Sequence, residues 1–188
     1  MYFRARQRFQ GDDVLTRWKS FGHKGDMTEN LIEHVNGIYE RKGIALITKM
    51  PVPVKVTKIG SGRIVEAYFE KRSTVDYYGI CQGHSICFDV KETDRSYLPL
   101  QNIHEHQLEY MLKFKAQGGF SFVICNFKKE GKYFLIPIEL VDSYWKNAAG
   151  GGRKSIPMDA IDYRYEIPSQ SGLPDYIATL GIYINEPR

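Results

Sequence analysis

Asp76 and Asp89 stand thirteen residues apart, and Lys91 follows the second acid by two, giving the spacing D-(x)12-DxK. Strand side chains alternate between faces. In "HSICFDVKE", Ser85, Cys87, Asp89 and Lys91 therefore share one side, and His84, Ile86, Phe88 and Val90 the other. The plain reading of the first side is a solvated face, because charged side chains are usually exposed. A second reading follows if "STVDYYG" opens the preceding strand and Gln82-Gly83 turns the chain between the two. Asp76 then converges with Asp89 at one end of the sheet, and Thr74 falls on the face of Asp76. Two carboxylates at close range repel each other unless a cation sits between them. Magnesium takes hard oxygen ligands and retains waters, so two acids with a carbonyl, amide or hydroxyl oxygen suffice. A lysine two residues past the second acid points into the same pocket. There it can stabilise charge developing on a phosphate or orient an attacking water.

The elements that would position these residues are legible in outline. The periodicity of Leu31, Val35, Ile38 and Tyr39 predicts a helix from Asp26 to Arg41, ended by Gly43. "IALITK" reads as a buried strand, and "VPVKVTKIGSGRIVEAYFEK" as a long hairpin over 52–71 with Gly60-Ser61-Gly62 at its tip. Lys55, Lys58 and Arg63 lie along that hairpin. A second helix is expected from about His104 to Gln117, with Leu108, Met111 and Leu112 as its apolar stripe and Gly118-Gly119 closing it. "FSFVICNF" is apolar enough to be a strand buried on both faces. "KYFLIPI" is a further strand, "LVDSYWKN" a short helix, and a last helix is expected near Leu173 to Leu180. The fold class is α/β, a mixed sheet flanked by helices.

The chain of 188 residues, 43% hydrophobic and 26% charged, fits one folded domain over 25–188. Its net charge of +4 is uneven: residues 1–24 hold six Lys and Arg against two Asp, with Tyr2, Phe3, Phe9, Trp18 and Phe21 between them. They read as a basic, disordered arm, equally suited to a polyanion such as nucleic acid and to a plain soluble tail. No apolar run approaches bilayer-spanning length, and the first residues lack the apolar core of a signal peptide, so no membrane is expected. Cys81, Cys87 and Cys125 are an odd count without zinc spacing and read as reduced thiols of a cytoplasmic protein.

Glu29 and Gln107 look ordinary when taken singly. Asp26 to Glu29 has capping-box spacing, and Gln107 can be an exposed helical glutamine. Together, Glu29, Thr74, Asp76, Asp89, Lys91 and Gln107 resemble the set found in PD-(D/E)xK nucleases of restriction-endonuclease-like fold. Within these, the chain resembles the RecU-type Holliday junction resolvases. "GDMTE", "STVDYYG", "FDVKET", "LPLQNIHEHQ", "QGGFSFVI" and "GRKSIP" carry the likeness over most of the chain. The resemblance implies a homodimer that nicks opposite strands of a four-way DNA junction, with the hairpin as a protruding stalk that enters the junction's centre. It implies magnesium, with manganese as substitute, held near Thr74, Asp76, Asp89 and Gln107. Lys91 would stabilise the transition state, and Glu29 matches the acid of the family's first helix. Recombination proteins would be further partners. Asp89 stands where the family carries glutamate, one methylene longer. Two other readings stay open: a related nuclease cutting duplex or other branched DNA, and a non-catalytic recombination scaffold.

Two motifs mislead. "AAGGGRKS" imitates a phosphate-binding loop, but Arg153 occupies a position where that motif needs glycine. It reads as a flexible loop whose Arg153 and Lys154 touch DNA. "HEH", His104 to His106, has metal-binding residue types, but side chains two apart on a helix diverge.

Overall fold

The computed structural model describes residues 26–51, 54–69 and 74–186. The arm at 1–24 and the hairpin's expected ends at 52–53 and 70–71 lie outside the described residues. A six-stranded mixed sheet forms the centre. In spatial order it comprises β1 (Ala45–Lys49), β4 (Tyr77–Cys81), β5 (His84–Thr93), β7 (Phe120–Phe127), β8 (Lys132–Pro137) and β10 (Glu166–Ile167). All neighbours are antiparallel except β5 and β7, which run parallel and are joined through a helix, as a parallel crossover requires. The helices are α1 (Asp26–Arg41), α2 (Glu105–Ala116), α3 (Ile138–Ala149) and α4 (Tyr176–Ile184). β2 (Val54–Gly60) and β3 (Arg63–Phe69) form a sheet of their own, and β6 (Tyr97–Pro99) pairs with β9 (Ser155–Pro157).

The mixed α/β class, the bounds of α1 and both tight hairpins agree with expectation. Ser61-Gly62 and Gln82-Gly83 turn the chain with positive φ at both residues of each pair, the geometry that matches strand twist in two-residue hairpins. β7 is buried on both faces along its whole length. Two expectations need correction. β1 is the edge strand, with Leu46, Thr48 and Lys49 exposed; an apolar run encodes burial only where neighbours cover both sides. The last helix starts three residues later than expected, because Leu173 and Pro174 pair with Ser169 and Gln170 before Asp175 caps the helix.

Register in the centre is fixed by stacked rings. Tyr77, Phe88 and Phe122 are cross-strand neighbours on β4, β5 and β7, with ring centroids 4.9 and 5.0 Å apart. Tyr176 of α4 closes against Phe88, and its hydroxyl donates to buried Asn36 of α1. Since neighbouring residues alternate faces, this aromatic stack sends the next pair in register, Asp76 and Asp89, to the opposite side of the sheet.

Candidate active site

Asp89 is 0% exposed, so the solvated-face reading of its strand is wrong. The turn at Gln82-Gly83 and the Tyr77↔Phe88 pairing carry Asp76 alongside it. Asp76 is fixed by the backbone, its Oδ2 accepting from Val90 N at 2.8 Å, and its charge acts on the Asp89 carboxyl. On the helical side, Gln107 of α2 is buried. Its Nε2 donates to Asp89 Oδ1 at 3.0 Å and its Oε1 accepts from His104 N at 3.1 Å. The amide so oriented links the start of α2 to the acid. Lys91, half-buried with a side-chain exposure of 18%, brings Nζ to 2.5 Å from Asp89 Oδ2. That oxygen is wholly buried and otherwise has no hydrogen bond of sound geometry.

Burial pushes the Asp89 carboxyl far above the usual carboxylate range; Lys91 opposes this, and Asp76 adds to it. Burial pulls Lys91 down, but Asp89 and Asp76 outweigh it and hold the ammonium protonated above its ordinary value. One lysine thus serves two crowded acids, one of them dry. A buried oxygen with no hydrogen bond, next to a second carboxylate, is a donor set short of positive charge. Among the described residues no three His, Cys, Asp or Glu cluster as a metal cage. Two carboxylates still fit magnesium, which is commonly held by one or two acids together with substrate phosphates. Gln107→Ala would leave buried Asp89 Oδ1 without its donor. The expected cost is about 1–3 kcal/mol, and each kcal/mol lowers the melting midpoint by roughly 2–4 °C, as read by thermal unfolding in a chelator.

Other expected site residues lie apart from this contact group. Thr74, half-buried two residues before Asp76, makes no hydrogen bond with it among the described residues. Glu29 projects from the first turns of α1 and pairs with Lys49 at 3.1 Å; its field reaches Lys91 without contact. Lys49, which also pairs with Glu33, was not singled out from the sequence. Its only signal was a basic residue at the end of a strand. Also missed was the network that seats α1: Asn126 Nδ2 donates to Thr28 Oγ1 (2.9 Å), which donates to Glu92 Oε2 (2.8 Å). Lys55, Lys58 and Arg63 are exposed on the β2–β3 hairpin. Arg153 and Lys154 follow a hydrogen-bonded turn rather than a flexible loop, with Gly152 N bonded to Asn147 O at 2.9 Å. A Cβ on Gly152 would meet the end of the exposed Asn147 side chain at 2.5 Å, which would have to swing aside. His104 and His106 do not diverge: His104 is the extended cap outside α2, and the two rings stack 5.4 Å apart.

The fold and site define a mixed α/β protein with an acid–acid–lysine cluster on its central strands and a separate basic hairpin. The chain matches the model of the family described as "Recombination protein U" over residues 23–181, and it belongs to that family. It is 38% identical over 150 residues to the Holliday junction resolvase RecU of Lactiplantibacillus plantarum, covering 77% of this chain and 72% of that one. The Holliday junction resolvase RecU of Levilactobacillus brevis is 34% identical over 179 residues, covering 92% and 89%. Among solved structures, the Holliday junction resolvase Hjc of Archaeoglobus fulgidus aligns with a TM-score of 0.38 at 11% identity, over 59% of this chain and 77% of that one.

Proposed function

We propose that this chain is a magnesium-dependent endonuclease that resolves Holliday junctions by nicking opposite strands symmetrically. The observation that carries the reading is the buried Asp89, flanked by Asp76 and Lys91, in a chain whose relatives bear the name Holliday junction resolvase. Asp76 and Asp89 would hold the ion, with Thr74 at the rim and manganese as a substitute. When bound, magnesium polarises the phosphoryl oxygen and lowers the pKa of water.

The chain's own residues do the rest. Val90 N fixes Asp76, and Gln107 fixes Asp89. As its amide stands, Gln107 is a positioning residue; turning its oxygen toward the site would cost the bond to His104 N. Lys91 keeps its proton under the field of both acids and offsets negative charge growing on the phosphate as water attacks in line. Glu29 adds to that field from the rim. Lys55, Lys58, Arg63, Arg153 and Lys154 supply contacts to phosphates. The products would carry 5′-phosphates and 3′-hydroxyls. Nicks resealed by DNA ligase without further treatment would agree with this, and nicks that ligase cannot close would overturn it.

A junction presents two equivalent strands, and a two-fold dimer matches them with two sites. Leu46 of β1 and Tyr78 and Ile80 of β4 share the Asp76 face of the sheet and are 59%, 46% and 56% exposed. Such a contiguous apolar face marks an interaction surface, here for a second copy. Ile80→Lys together with Leu46→Lys is expected to convert a dimer into a monomer by light scattering, with junction cleavage lost while each fold persists. A wild-type monomer that cuts junctions would contradict the dimer. A cytoplasmic location and recombination proteins as partners accord with this role.

A further inference from the structure

A second basic site lies where the chain leaves β5. Arg95 and Tyr97 on that segment, Trp145 of α3, and Arg153 and Lys154 ahead of β9 line one cleft of about 700 Å3. This lies within the roughly 300–1,000 Å3 of small-ligand pockets. The β6–β9 pairing closes the cleft's floor, and Leu100 N bonds Lys154 O at 3.1 Å. The Arg95 and Arg153 guanidinium carbons lie 5.4 and 6.0 Å from the centre of the Tyr97 ring, within cation–π range. Arg95 Nη1 also donates to the Tyr97 hydroxyl at 2.5 Å, and Arg153 Nε to Ser155 Oγ at 3.0 Å. Both forks are thus held in place by neutral groups.

None of Arg95, Arg153 and Lys154 pairs with a carboxylate among the described residues, whereas Lys49, Lys113, Lys128, Lys132 and Lys146 each do. Three unneutralised cations around a pocket with a half-buried indole call for a ligand that is anionic at one end and flat and apolar at the other. Arg95 is four residues beyond Lys91. Asp89 is two residues further back, so at about 3.3 Å per strand residue the cleft is at most roughly 20 Å of chain from Asp89.

We propose that the cleft formed by Arg95, Tyr97, Trp145, Arg153 and Lys154 is a nucleotide subsite, taking one unstacked nucleotide of the DNA strand beside the cut. Its phosphate meets the cations and its base lies against Trp145. The subsite rests on the nuclease reading above and adds to it a requirement for local unpairing next to the scissile phosphate, which a junction supplies more readily than intact duplex.

The test uses the full chain and synthetic immobile four-way junctions carrying one abasic residue at successive positions around the cut. Stacking of a base on an aromatic side chain is sequence-tolerant, and its loss weakens binding by about tenfold. One position is expected to cost the wild type about tenfold in affinity. Trp145→Leu should lower affinity for the intact junction by a similar factor and show no further loss with that abasic junction. Should Trp145→Leu fail to fold, 5-bromodeoxyuridine at the same position, irradiated with the wild type, is expected to crosslink to Trp145. A wild type that cuts intact junctions, with no abasic position coupled to Trp145 and no such crosslink, overturns the subsite alone. A wild type that binds no DNA overturns both readings. Coupling found equally on linear duplex would also overturn the proposal, since a paired base cannot lie on the indole.

Discussion

Asp76→Asn is expected to abolish strand cleavage while leaving affinity for four-way DNA equal to that of the wild type or tighter. The substitution keeps an oxygen able to accept from Val90 N, so the local fold survives. What disappears is one of the two charges available to a cation. The same loss removes repulsion toward phosphate, hence the unchanged or improved binding. Lys91→Ala acts differently. Both acid side chains remain, but nothing then opposes the burial that raises the Asp89 carboxyl; the group meant to offset charge on the reacting phosphate is gone, and the expected cost is roughly 10²- to 10³-fold in rate. Because Lys91 is also the cation beside buried Asp89 Oδ2, this variant is expected to melt earlier than the wild type in a chelator, and earlier than Asp76→Asn. Single-turnover cleavage with circular dichroism on the same samples separates the two effects. An Asp76→Asn protein that cuts at the wild-type rate would remove the metal assignment.

Shortening the hairpin is expected to erase discrimination between four-way and linear DNA without touching the site. Among the described residues β2 and β3 pair only with each other, and every side chain from Lys55 to Tyr68, apart from the backbone-only Gly60, is exposed. Two strands alone bury too little to be stabilising, so the element persists for a reason other than the core. Basic side chains attract phosphates without regard to sequence or shape, and that attraction weakens with salt, so Lys55, Lys58 and Arg63 would not discriminate by charge alone. Discrimination must therefore come from where the hairpin can reach, and the open centre of a junction has no counterpart in duplex. Replacing residues 56–67 by Asn-Gly preserves the Lys55↔Tyr68 register and removes the projecting part. The ratio of junction to duplex affinity is expected to fall toward one, with the melting midpoint nearly unchanged. A shortened protein that keeps its full preference would favour a duplex nuclease with an ornamental hairpin.

What was legible in the sequence was what local chemistry determines. The ends of α1 follow from the spacing of Val35, Ile38 and Tyr39 and from Gly43, whose φ of +63° stops the helix. Gln82-Gly83 announced its hairpin, and that turn alone brings Asp76 to Asp89. The rest depends on which elements become neighbours. "IALITK" is as apolar as an interior strand, yet nothing covers its outer edge. Glu29 has capping spacing, but its partner Lys49 arrives from another strand. Gln107 was named beside the acids as a metal ligand through the resemblance, whereas its bond to Asp89 depends on the packing of α2 against β5. Arg95, Trp145 and Arg153 line one cleft through tertiary packing that includes the β6–β9 pairing, two three-residue strands too short to leave a periodic signal.

The most direct measurement sets the wild-type protein against an immobile four-way junction and a linear duplex of the same sequence, in magnesium and in chelator, with products resolved on a denaturing gel. Paired nicks in opposite strands of the junction, absent in chelator and absent from the duplex, are the expected result. Cleavage that persists in chelator, or that proceeds equally on the duplex, would contradict the account.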